Sequence, residues 1–150
     1  MKAKKIFFTK TKRAEIVEFE LDETPGEYEL LVKTLYSIAS SGTEGANFAN
    51  PDVEKIDKNS WMRNPCYGNV GKVLAVGKKV EGFKVDDLVF STENHCSYYK
   101  IDTRYDPARY SLFMAKVPEQ LDPLKAVWNG FGQFLTVHFT TRADSPKWAT

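Results

Sequence analysis

The chain has 150 residues, 42% of them hydrophobic and 27% charged, a balance that excludes a disordered or fibrous polypeptide and fits one domain able to bury a core. Twenty-one Lys and Arg against 20 Asp and Glu leave a net charge of +1, so no broad field points to nucleic acid or to an anionic membrane. There is no transmembrane run of 18 apolar residues, the start MKAKKIFFTKTKR does not read as a signal peptide, and Cys66 and Cys96 are too few for a disulfide scaffold or structural zinc; a reduced, cytoplasmic protein is expected.

In chain order, no repeat or low-complexity segment stands out. From Arg13 to Leu21 the apolar Val17, Phe19 and Leu21 alternate with Glu18 and Glu20, the pattern of a half-buried strand. Thr24-Pro25-Gly26-Glu27 is a turn. Tyr28 to Ile38 reads as a longer strand: Tyr28, Leu30, Val32, Thr34 and Tyr36 share one side and Leu31 and Leu35 the other, so both faces should be covered. In Ser40-Ser41-Gly42-Thr43-Glu44-Gly45, Ser41 is placed to cap a short helix, with Glu44 three residues later as its return partner. Asn50 to Asn64 is charged and irregular, and is expected to be a mobile loop.

Gly68 to Gly77 mixes valine with glycine, which suggests bulges or close backbone approach. Val80, Phe83, Val85 and Val89 read as short strands between tight turns, followed by strands at Cys96–Ile101 and Phe113–Val117. Strands this short and frequent suggest a barrel or sandwich. Asp122-Pro123 then opens a helix, a cap residue followed by proline in the first turn. Its apolar residues, from Ala126, Val127 and Trp128 to Phe139, do not keep to one face. Such a helix is buried all round, which one small barrel cannot achieve. More chain or another subunit should cover it.

Gly68 to Phe90, GNVGKVLAVGKKVEGFKVDDLVF, resembles the GroES-like domain of the medium-chain dehydrogenase/reductases, the alcohol dehydrogenase superfamily. The matching frame is Gly71, Val73, Val76-Gly77, Val80, Gly82-Phe83, Val85, Asp87 and Val89-Phe90. Tyr36 to Glu44 and Lys116-Val117-Pro118 with Leu121, Asp122-Pro123 and Ala126 extend it over nearly the whole chain. The resemblance implies a mainly β, partly open barrel with a few short helices and a C-terminal helix. Residues 1–121 would be the substrate domain, and 122–150 would lead towards a nucleotide-binding domain. Asp86 replaces a usual glycine, so a residue with a Cβ must fit a turn that often wants φ > 0, which Asp tolerates. No G-x-G-x-x-G occurs; Gly130-Phe131-Gly132 follows no strand and reads as helix packing.

Zinc-dependent members of the family hold their metal with a cysteine after the long strand and a Gly-His-Glu triplet. Here Ala39 and Ser40 follow Ile38, and the triplet is Cys66-Tyr67-Gly68. Those positions offer no zinc ligand set, so the resemblance implies no zinc and a side-chain donor to polarise a carbonyl. Tyr67 is a candidate proton donor, or a core tyrosine. Ser41 and Thr43 stand where the family has a hydroxyl relay, or are loop caps. Glu44 is a general base, an orienting group or the capping carboxylate. His95 is a candidate acid/base, or a metal ligand with Cys66 and Glu44. His138 is expected to pack or face solvent. Tyr98, Tyr99, Tyr105, Tyr110 and Phe113 form core and one wall of a pocket.

Two functions are carried forward. In the first, the chain is the catalytic domain of a zinc-independent oxidoreductase acting on a carbonyl or alcohol. NAD or NADP would be bound in the two-domain parent, and the chain alone would be inactive and bind no cofactor. In the second, it is a stand-alone GroES-like module that self-associates or binds a partner through its apolar C-terminal helix.

Overall fold

A computed structural model describes residues 1–65, 67–104 and 114–128. Strands β1 (Lys2–Lys10) and β2 (Arg13–Glu20) form an antiparallel hairpin, turned through Lys12 at φ 57°. The alternation expected of β2 is present: Val17 and Phe19 are half-buried, and Glu18 and Glu20 exposed. β1 was not legible in the sequence. Its burial alternates from Ala3 to Phe7 and then changes side at the buried Phe8, so the two-residue period breaks partway along the strand.

A second sheet holds five antiparallel strands in the order β6-β3-β4-β5-β7. These are β3 (Glu29–Ile38), β4 (Gly68–Val76), β5 (Leu88–Ser91), β6 (Tyr98–Asp102) and β7 (Met114–Lys116). The sheet curls into the half-barrel of a GroES-like, mainly β domain. Leu30, Val32, Val73, Val89, Tyr99 and Ile101 form one core cluster. Val70, Phe90, Val117, Ala126 and Val127 form a second. Full burial of each large aliphatic side chain contributes roughly 1.5–3 kcal/mol.

The long strand departs from expectation at its far end. Leu30 to Val32 are buried on both faces, but Leu35 and Tyr36 are exposed. The β3–β4 register shifts twice, between Leu31 and Val32 and between Thr34 and Tyr36. Gly71, paired with Thr34, permits this crowding: a Cβ there would stand 2.4 Å from Val32 Cγ1 and 2.8 Å from the Lys33 carbonyl oxygen.

Residues 77–87 are turns rather than strands. Val80 and Phe83 pack on the core, but Val85 is exposed. Asp86 sits at φ 73°, as its replacement of glycine required, and pairs with Lys72 at 2.7 Å. The loop from Asn50 to Asn64 is tied down rather than irregular. It contains a 3-10 turn at Val53–Lys55, and Val53, Arg63 and Asn64 are buried. The Asn64 amide donates to the carbonyls of Lys58 and Ser60.

At the other end, residues 123–128 are helical. Asp122 caps them as expected, accepting from the N–H of Leu124 at 3.0 Å and of Lys125 at 3.1 Å. The segment is buried on one side only: Ala126 and Val127 are covered, while Leu124 is 58% and Trp128 67% exposed. The helix expected beyond Trp128, with His138 and the Gly130–Gly132 cluster, lies outside the described residues, as do Cys66, Tyr105, Tyr110 and Phe113.

Candidate functional site

Helix α1 (Thr43–Ala49) begins where β3 leaves the sheet. Its entry is stabilised by Ser40, not Ser41. The Ser40 hydroxyl accepts from the Thr43 N–H at 3.3 Å, and the Glu44 carboxylate accepts from the Ser40 N–H. This is the reciprocal arrangement of a capping box displaced by one residue. It leaves Ser41 and Thr43 exposed, and puts Glu44 inside.

Glu44 and His95 meet there. Glu44 Oε1 lies 2.8 Å from His95 Nε2, and both side chains are more than nine-tenths buried. The residues are 51 apart in sequence. With Glu44 ionised and accepting on both oxygens, Nε2 carries the proton, a tautomer assigned from the hydrogen-bond network. His95 Nδ1 is buried with no hydrogen-bond partner.

Four hydrogen bonds hold the His95 loop. The His95 N–H donates to the Pro65 carbonyl at 3.0 Å, and its own carbonyl accepts from the Ile6 N–H at 2.9 Å. Asn69, fully buried at the start of β4, donates its amide to the carbonyls of Glu93 and Asn94, both at 2.7 Å. Pro65 is positioned in turn by Arg63, whose guanidinium donates to the carbonyls of Phe8, Ile56 and Thr9 and lies 4.6 Å over the Phe7 ring. Sequence reading missed Ser40, Arg63 and Asn69. Arg63 and Asn69 act on backbone groups far away in the chain, where no local pattern marks such a role, and Ser40 displaces Ser41 as the capping hydroxyl because of where β3 leaves the sheet.

Tyr67 is half-buried, immediately before β4. Of the five candidates, Glu44 and His95 are in direct contact. The metal grouping of these two with Cys66 falls partly outside the described residues, among which no group of three or more His, Cys, Asp and Glu converges. After the long strand, where the family's cysteine falls, Ser40 has its N–H and hydroxyl engaged at α1.

Beside the site, Tyr98 and Tyr99 help to line a cavity of about 200 Å3 with Lys5, Phe19 and Cys96. Tyr99 is core, its hydroxyl accepting from Ser91 at 2.8 Å; burial raises its phenol well above the ordinary value. Burial, and then the Glu93 charge, push the Cys96 thiol up to about 12. That keeps it protonated and unreactive at neutral pH.

No protein-family model and no curated protein sequence matches the chain. Solved structures do. A quinone oxidoreductase from Pseudomonas syringae pv. tomato DC3000 is similar with a TM-score of 0.61 and 20% identity, over 93% of this chain and 41% of that one. For a candidate NADPH:quinone reductase from Bacillus thuringiensis the values are 0.67, 16%, 95% and 41%. For the CurK enoyl reductase they are 0.64, 16%, 91% and 41%. The likeness shows the fold that the medium-chain dehydrogenase/reductase resemblance implied. The chain spans less than half the length of each of these structures.

Proposed function

From a fold shared with quinone and enoyl reductases, we propose that the chain is the substrate-binding, catalytic domain of an NAD(P)-dependent, zinc-independent oxidoreductase acting on a carbonyl or alcohol. The observation that carries this reading is the buried Glu44–His95 pair with a bare Nδ1. A carboxylate on one ring nitrogen fixes the tautomer and stabilises the imidazolium, so the other nitrogen is free to give or take a proton. In this reading one proton balances the hydride: the Tyr67 phenol passes it to the substrate oxygen and is reprotonated from His95 Nδ1, and the Ser41 and Thr43 hydroxyls relay its replacement from solvent.

The sequence has no glycine-rich phosphate loop, so the residues here do not fit a nicotinamide nucleotide. Hydride transfer then depends on residues other than these, and the chain alone gives no turnover. The test has two parts. NADH and NADPH are titrated into the chain and followed by nicotinamide fluorescence, with no binding expected up to millimolar. The His95 ring signals, assigned through His95→Asn, are followed by NMR against quinones, enones and alcohols. Movement with a carbonyl ligand is expected. Micromolar binding of either nucleotide overturns the cofactor assignment, and an unmoved His95 across the whole panel overturns the site.

The exposure of Leu124 and Trp128 favours a second reading, a stand-alone module that pairs through this face. Sedimentation as a monomer at all concentrations would overturn it.

A further inference from the structure

Where β3 ends against the C-terminal helical segment, a cavity of about 400 Å3 opens to solvent. It is lined by Ser37 and Ile38 on one side, and by Leu124, Lys125, Val127 and Trp128 on the other. Its volume lies in the range of about 300–1,000 Å3 typical of small-molecule sites. The lining is chemically divided. Ile38, Leu124, Val127 and the indole of Trp128 are apolar, and the large indole favours a flat, conjugated ligand. Lys125 is exposed at the rim, with no carboxylate in ion-pair distance among the described residues. The Ser37 hydroxyl adds a polar group. Ile38 is two residues before Ser40, whose N–H holds Glu44.

We infer that this groove binds the planar, conjugated part of a substrate bearing an anionic substituent, with Trp128 as the flat wall and Lys125 as the counter-charge. The substrate class is thereby an aromatic or conjugated carbonyl compound carrying a carboxylate or acidic hydroxyl. The inference rests on the proposed function for the carbonyl, and on the groove alone for the ring and the charge.

The probes are 2-naphthoate and its uncharged methyl ester. They are titrated into the 15N-labelled chain while the indole N–H signals of Trp61, Trp128 and Trp148 are followed, with Trp128 assigned through Trp128→Phe. Naphthoate should move the Trp128 signal saturably and leave Trp61 in place. The ester should bind about tenfold more weakly, and Lys125→Gln should weaken naphthoate about tenfold and leave the ester unchanged, the effect of one lost charge contact of about 1.4 kcal/mol. A still Trp128 signal, equal binding of acid and ester, or indifference to Lys125→Gln would each overturn the inference. So would a Trp128 signal that moves with protein concentration alone, because a second copy would then cover the groove. If naphthoate fails while His95 still responds to carbonyl ligands, the groove is wrong and the proposed function stands; if His95 fails as well, both fall.

Discussion

A buried carboxylate is costly unless its oxygens are satisfied. Glu44 meets that condition with one backbone donor and one imidazole. Removing one partner of such a pair strands the other. Glu44→Ala should therefore destabilise the chain by about 3 kcal/mol, and Glu44→Gln, which keeps a hydrogen-bonding group at the site, by clearly less. Urea unfolding of the two variants checks this, and equal midpoints would show that the carboxylate adds nothing. Cys96 makes the opposite point. Its thiol is held at about 12 chiefly by burial, so the neutral form dominates at physiological pH. In a Cys66→Ser background, Cys96 should react with iodoacetamide far more slowly in the native chain than in urea. Equal rates in the two states would show an accessible thiolate.

At the scale of elements, the sheet depends on close approach. A methyl group at Gly71 would meet Val32 and the Lys33 carbonyl inside van der Waals distance, with backbone on one side that cannot yield. Gly71→Ala should cost about 1–3 kcal/mol, the range for overpacking a core. Gly45, inside α1, has nothing within 4 Å of its missing Cβ. Gly45→Ala should stabilise by up to about 1 kcal/mol through helix propensity alone. Thermal unfolding of the pair gives shifts of opposite sign if the steric account is right. The same contrast explains which elements were legible. Alternation marked β2, and cap and proline marked the start of the helical segment at Asp122. Valine content misled at 77–87, where Val80 and Val85 decorate turns. β1 escaped notice because its buried residues change side, and a register shift between Phe8 and Lys10 breaks the period further.

For the molecule as a whole, one buried carboxylate closes the far edge of the sheet. Asp87 precedes β5, pairs with Lys116 of β7 at 2.7 Å and accepts from the Lys84 N–H at 2.8 Å. Burial raises its pKa, but the Lys116 and Lys84 contacts outweigh that and hold it below the ordinary 3.8. The unfolded chain then binds more protons below about pH 4, so stability rises with pH there. The contribution is complete above the ordinary value and is lost as pH falls through the lower folded one. Asp87→Asn should be less stable at pH 7, with the gap to the parent chain narrowing below about pH 4. A gap constant down to pH 2 would show that the charge is not what matters.

Period and capping are local properties, and residues close in the chain sufficed to read them: the alternating hairpin strand and the Asp122 cap; the positive φ of Asp86 is expected from the glycine that the family resemblance puts there. The resemblance at Gly68 to Phe90 added the half-barrel. The centre of the candidate site is of another kind. Glu44, His95, Asn69 and Arg63 act across dozens of residues, on partners set by strand register, and each shift in β3–β4 changes which side chain faces which. Ser40 instead of Ser41 follows from where β3 ends. The pairing of Glu44 with a histidine 51 residues away exists only once two sheets and a helix are packed, because a hydrogen bond needs atoms within about 3 Å and no spacing along the chain specifies that.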